Sequence, residues 1–168
     1  MKFQLLVLLS VILSSCAGYQ LGGAKPPSLA SVERISVSML VNGTLHPRAE
    51  AIATSAVTAA VVQNGTYRLS DLDRADAILE GEVVSIEYSP LRGSRLDAMA
   101  AEELTNTVRI SWRLMDARDP TRLLASGSSS GQSTFFVDSN LQTARHNALP
   151  DAFERAAQNL ILRLASGY

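Results

Sequence analysis

Thr107 to Met115 alternates without a break, placing Val108, Ile110, Trp112 and Leu114 on one face and Arg109, Ser111 and Arg113 on the other. A period of two marks a strand with one buried and one wet face. Arg34 to Met39 repeats the pattern with Ile35, Val37 and Met39, and Asn42-Gly43 closes it with turn residues. Tyr67 to Leu69 reads as a short strand, followed by a polar turn from Asp71 to Asp76. Ala77 to Tyr88 is a longer strand with imperfect alternation, so a bulge is expected near Gly81.

Elsewhere the period is that of a helix. Leu45, Ala49, Ile52, Ala56, Ala59 and Ala60 make a stripe of mostly small residues, which lets a helix approach a sheet closely. Pro47 suits the first turn of that helix, which runs to Asn64, and Gly65 suits the position past its end. Phe153, Ala157, Leu160, Ile161 and Leu164 form a second stripe, with Pro150 near its start and Gly167 beyond it. Helical residues before Pro150 are expected to kink away, because proline lacks a donor and clashes with the preceding turn.

Two segments have no clear period. Ser126 to Gly131 has the composition of a linker, yet Leu123-Leu124 and Phe135-Phe136 bracket it with core-like residues. A structureless loop of that length is uncommon inside one domain, so Leu123 to Phe136 is read as a strand. Ser89 to Glu103, with Pro90 and Gly93, reads as a long hairpin tip. Apart from the short Tyr67–Leu69 strand, the order β-α-β-β-β-α implies a single α+β domain over residues 32–168, with two helices packed on one face of a four-stranded, largely antiparallel sheet.

Residues 1–31 belong to none of these elements. Lys2 followed by the apolar run Phe3 to Leu13 is a secretory signal pattern, too short for the roughly 20 residues that span a bilayer. Leu13-Ser14-Ser15-Cys16 then looks like the lipobox of a bacterial lipoprotein precursor. On that reading residues 1–15 are a signal peptide and Cys16, the only cysteine, carries acyl chains on its thiol and amino group. Two or more chains anchor stably without spanning the bilayer. Residues 16–31, with Gly22, Gly23, Pro26 and Pro27, read as lipidated cysteine and flexible tether, reaching about 50 Å when extended. Ala17 follows the cysteine where an Asp would favour inner-membrane retention, so the expected location is the outer membrane, lipid-anchored on the periplasmic side.

Charge and chemistry narrow the function. Past residue 15 there are fourteen basic residues, Lys2 being removed from fifteen, against sixteen acidic ones, for a net of −2. A nucleic-acid binder shows a basic excess, and this chain has none. All basic residues past Lys25 are arginines, which favour bidentate contacts to phosphate and carboxylate. Six of them, Arg92, Arg95, Arg109, Arg113, Arg118 and Arg122, fall within 31 residues, interspersed with Asp97, Glu102, Glu103, Asp116 and Asp119. His46 and His146 lack metal-ligand spacing to a partner, His46 reads as a helix cap, and no Gly-x-Ser-x-Gly elbow or phosphate loop appears. No enzymatic activity, metal or cofactor is expected.

Several segments carry a family resemblance across essentially the whole chain past Cys16. They are Gly18-Tyr19-Gln20-Leu21 after the cysteine, Thr44 to Glu50, Gly65-Thr66-Tyr67, Ala75 to Gly81, Thr134 to Val137 and Ala148 to Ala152. In these the chain resembles the lipopolysaccharide-assembly lipoproteins of the LptE family, although Ala17 stands where many members place Gly and the chain ends at Tyr168 without a longer polar tail. The resemblance implies a protein that plugs and helps assemble the large LptD-like outer-membrane β-barrel of lipopolysaccharide transport and binds lipopolysaccharide during export. It also implies ligand contact at the middle hairpin, which makes Arg92 and Arg95 the first candidates and Arg109 and Arg113 the second, with Arg145 as an indifferent reference. The alternative is an outer-membrane lipoprotein that activates or scaffolds another periplasmic envelope complex. A tether of about fifteen residues is short for that role.

Overall fold

The computed structural model describes residues 25–90, 103–136 and 140–167. Among these the strands are β1 (Arg34–Val37), β2 (Val41–Asn42), β3 (Arg68–Leu69), β4 (Ala77–Pro90), β5 (Glu103–Asp116) and β6 (Leu123–Phe136), and the helices are α1 (Ala49–Asn64) and α2 (Leu141–Ser166). The single α+β domain and its two helices are as expected. The sheet is not four-stranded and antiparallel: six strands form a mixed sheet of order β3-β1-β4-β5-β6, with β2 also on β4. β1, β2 and β3 enter in parallel pairings, while β4, β5 and β6 form an antiparallel meander. The parallel part follows from α1, which returns the chain to the same end of the sheet before β3 begins, as a strand-helix-strand crossover does.

β5 keeps the expected alternation, with Val108, Ile110, Trp112 and Leu114 buried and Arg109, Ser111 and Arg113 exposed. In β4 the register shifts between Val83 and Ser85, not at Gly81. That extra residue switches the inward-facing set from the buried Ala77, Leu79 and Val83 to the half-buried Ile86 and Tyr88, which lie opposite Val108 and Asn106.

The serine and glycine run of β6 is a strand because of what it must fit beside. A methyl on Gly127 would lie 2.7 Å from Cζ2 of Trp112, its partner in β5. A methyl on Gly131 would overlap the Ala152 carbonyl oxygen and the Ala156 amide nitrogen, so α2 lies directly on the strand backbone there. Ser129 and Ser133 are buried between them, accepting from Trp112 Nε1 at 3.1 Å and donating to the Ala148 carbonyl at 2.7 Å. Linker-like composition here is the consequence of close packing on both sides.

Both helices depart in phase or extent from the sequence pattern. α1 buries Ala49, Ala53, Val57, Ala60 and Val61, leaving Leu45 fully exposed, because a helix apolar on nearly every side does not display its own core face. It starts at Ala49, two residues after Pro47, with Arg48 as its N-cap at φ 64. α2 begins at Leu141 and continues across Pro150, so the nine residues before the proline are helical. Pro150 and His146 are exposed, while Ala148, Leu149, Ala152 and Phe153 are buried, so the proline stands on the side of the helix away from the core. Met39, expected inward with Ile35 and Val37, lies past the end of β1 and is exposed.

The packed domain reaches back to Lys25, seven residues before the boundary read from the sequence. Leu29 is buried in the core, Lys25 Nζ donates to the Val32 carbonyl at 2.9 Å, and the same ammonium sits 4.8 Å from the centre of the Tyr67 ring. Tyr67 donates to the Leu164 carbonyl at 2.7 Å, tying β3's approach to the end of α2, and burial pushes its hydroxyl up to about 12. At the start of β1 the Asp76 carboxylate accepts from the Glu33 and Arg34 amides at 3.2 and 2.9 Å and from the Arg34 guanidinium at 3.1 Å. Those bonds, led by the Arg34 side chain, hold its carboxyl down at about 2.

Candidate functional site

The face of the sheet away from the helices is polar. Arg109, Ser111 and Arg113 of β5 project from it beside Glu80 and Glu82 of β4 and Ser126, Ser128 and Ser130 of β6. The two candidate arginines do not converge. They are four residues apart on one strand, about 14 Å at roughly 3.4 Å per residue, and line different cavities. Arg113 is engaged, its Nε 2.6 Å from Glu80 Oε2 in an exposed ion pair. Arg109 makes no ion pair with another described residue and shares a cavity of about 520 Å³ with Ser128, Ser130, Asn159 and Arg163. Arg163 comes from α2, some fifty residues along the chain, so nothing in the local pattern joins it to Arg109. Arg92, Arg95 and Cys16 lie outside the described residues.

A second polar cluster occupies the end of the sheet from which the chain between Pro90 and Glu103 leaves. Asn106 falls on the buried phase of β5, between Tyr88 of β4 and Ser133 of β6, and is fully buried. The Arg145 guanidinium lies 4.6 Å from the centre of the Tyr88 ring, Phe135 meets that ring edge-on at 6.2 Å, and the Tyr88 hydroxyl and His46 Nε2 share a hydrogen bond of 2.8 Å. Burial first, then repulsion from His146 and Arg145, lowers the His46 pKa, so the ring is neutral at pH 7. Burial raises that of Tyr88.

Five buried side-chain atoms have no hydrogen-bond partner among the described residues: both amide ends of Asn106, Thr105 Oγ1, His46 Nδ1 and Arg145 Nε. Each such atom costs about 1–3 kcal/mol unless a partner or water meets it. They gather at the end of the domain where β4 stops and β5 begins. Arg145 therefore cannot serve as an indifferent reference, and His46 does not cap α1. The one sequence signal was Asn106 itself, a polar residue in the inward phase of an otherwise apolar strand face.

The lowered His46 pKa has a sign. The unfolded chain takes up a proton near pH 6.5 that the folded chain resists, so the stabilising contribution is present above about that pH and lost as pH falls below it. Urea midpoints at pH 7.5 and 5.5 are expected to fall more in the wild type than in His46→Gln. An equal fall in both would place the proton uptake elsewhere.

Among the described residues no group of His, Cys, Asp and Glu is arranged to hold a metal ion, and no helix is long and apolar enough to cross a membrane.

Residues 32–164 match the LptE family, described as lipopolysaccharide-assembly. No curated protein matches the chain. Among solved structures, a hypothetical protein from Chlamydia trachomatis is similar with a TM-score of 0.56 at 5% identity, over 82% of this chain and 100% of that one. A protein from Xanthomonas campestris gives 0.54 at 15% identity, covering 86% and 92%. A minor lipoprotein from Acinetobacter baumannii gives 0.51 at 12% identity, covering 81% and 92%. At these identities the likeness is one of fold.

Proposed function

We propose that this chain, which belongs to the LptE lipopolysaccharide-assembly family of non-enzymatic lipoproteins, plugs and helps assemble the outer-membrane β-barrel of lipopolysaccharide transport and binds lipopolysaccharide on its way through. The family match over nearly the whole domain carries the reading. The polar sheet face supports it, since a plug in a water-filled barrel lumen needs a hydrophilic surface of mixed charge. Acyl chains on Cys16 hold the protein in the outer membrane facing the periplasm, and the signal peptide of residues 1–15 is removed. Within the stretch 16–31 read as a tether, Lys25 and Leu29 pack on the domain.

Lipopolysaccharide carries phosphates, and arginine is the side chain best shaped to grip them. Arg92 and Arg95 fall in sequence between Pro90, where β4 ends, and Glu103, where β5 begins. They are the primary contacts, Arg109 a secondary one, and Arg113 the weakest because Glu80 already neutralises it. Changing Arg92 and Arg95 together to Ala is expected to weaken lipopolysaccharide binding by about 2–4 kcal/mol, at roughly 1–2 per charge-assisted contact. Arg74→Ala is the reference, because Arg74 is paired with Asp71 in the turn before β4, at the opposite end of that strand. Titration of purified, delipidated protein with fluorescent lipopolysaccharide reads the difference, with circular dichroism confirming the fold. Equal affinity for wild type and the double variant removes the ligand role of this hairpin.

A further inference from the structure

β6 closes the sheet at one side, and its outer edge pairs with no strand among the described residues. Over fourteen residues it carries no charge and no proline, two devices that natural edge strands use to refuse a further strand. Its open side can be oriented from one bond. The Ser130 carbonyl accepts from Asn159 Nδ2 of α2 at 2.8 Å, so the backbone of Ser130 faces away from β5. Alternation then turns the amides of Ser128, Gln132 and Thr134 the same way.

Two cavities run along this edge with α2 as their second wall. One, of about 520 Å³, is bounded by Ser128, Ser130, Asn159 and Leu162; the other, of about 470 Å³, by Thr134, Phe136, Thr143 and Asn147. A channel between an edge strand and a helix is the setting in which an extended peptide adds to a sheet, main-chain bonds giving affinity and pockets receiving alternate side chains. Leu162 and Phe136 are exposed there and offer the apolar contacts. Arg109 and Arg163 line the first cavity, and neither is ion-paired with another described residue. In the second, the Asp151 carboxylate is 3.5 Å from Arg155.

We propose that the β6 edge receives an extended segment of a partner polypeptide as an added strand, with a carboxylate of that segment between Arg109 and Arg163. A second copy of this chain is disfavoured by the same charges. Antiparallel pairing of two β6 edges about their midpoint, near Ser129–Ser130, sets the two guanidinium pairs against each other, and like charges opposite one another destabilise a strand pair. The inference gives Arg109 to the carboxylate in place of a secondary lipopolysaccharide contact, and it is independent of whether Arg92 and Arg95 touch lipopolysaccharide.

The test uses the full domain and three synthetic probes: an octapeptide alternating Thr and Val with one Asp at its end, the same peptide with Asn for Asp, and a version N-methylated at alternate amides. Amide resonances of Ser128, Ser130, Gln132 and Thr134 are followed by NMR during titration. The acidic peptide is expected to shift and protect these four amides, and to bind about tenfold more tightly than the Asn peptide. N-methylation and Gln132→Pro, which removes an outward donor not used by β5, should each abolish binding while the spectrum of the rest of the domain is retained. Changing Arg109 and Arg163 to Ala should erase the preference for Asp over Asn and leave the Asn peptide unaffected. Absence of binding, equal binding of the methylated peptide, or shifts confined to other surfaces would overturn the proposal. So would concentration-dependent protection of the four amides without peptide, which would assign the edge to a second copy.

Discussion

Trp112→Ala is expected to destabilise the domain by about 3–5 kcal/mol, as removal of a large aromatic from a packed core does. The indole is 6% exposed, lies against Gly127 with no room for a methyl between them, and donates to Ser129 Oγ at 3.1 Å. Truncation leaves a cavity that Gly127 has no side chain to fill and a buried serine hydroxyl without its donor. Both losses fall on the same site. The urea midpoint measures the change, and a midpoint equal to that of the wild type would mean that the indole does not support the core.

Gly131→Ala is expected to cost about 3 kcal/mol, the upper part of the range for overpacking. The added methyl meets the Ala152 carbonyl oxygen and the Ala156 amide nitrogen, which are backbone atoms and have no rotamer to escape into. α2 must lift from β6, and the Ser133 bond to the Ala148 carbonyl lifts with it. Ser130→Ala, one residue away on the exposed face, is expected to be nearly neutral. Comparable midpoints for the two variants would contradict the close approach of helix to strand.

The elements legible in the chain were those whose periodicity reports one environment. β5 is buried on one face and wet on the other along its middle, so Val108 to Leu114 announced both the strand and its orientation. α1 did the reverse: with Ile52, Val57, Val61 and Val62 spread around its circumference, the sequence showed a helix without showing which side meets the sheet. Parallel pairing of β1 with β3 and β4 depends on contacts between residues more than thirty apart, and strands of two to four residues carry no pattern long enough to reveal it. Pro150 does not mark the start of α2, because it stands on the exposed side of the helix while the buried side, from Ala148 to Phe153, continues across it.

The candidate surface was legible in kind more than in place. Arginine in place of lysine pointed to anionic groups, and Arg109 and Arg113 are exposed on the sheet as expected. That Arg113 is neutralised by Glu80, that Arg109 shares its cavity with Arg163, and that Arg145 lies over Tyr88 are long-range facts. None follows from spacing along the chain. The edge of β6 was hidden for a related reason, since its serines and glycines describe packing to α2 and β5 before they describe an open side.

Purification of the full-length lipoprotein through a C-terminal tag from detergent-solubilised outer membranes puts the plug function directly to test. The predicted result is a large β-barrel recovered in about equal amount, with the two proteins migrating together through gel filtration. Recovery of the lipoprotein without a barrel, or with the components of a different envelope complex, would contradict it.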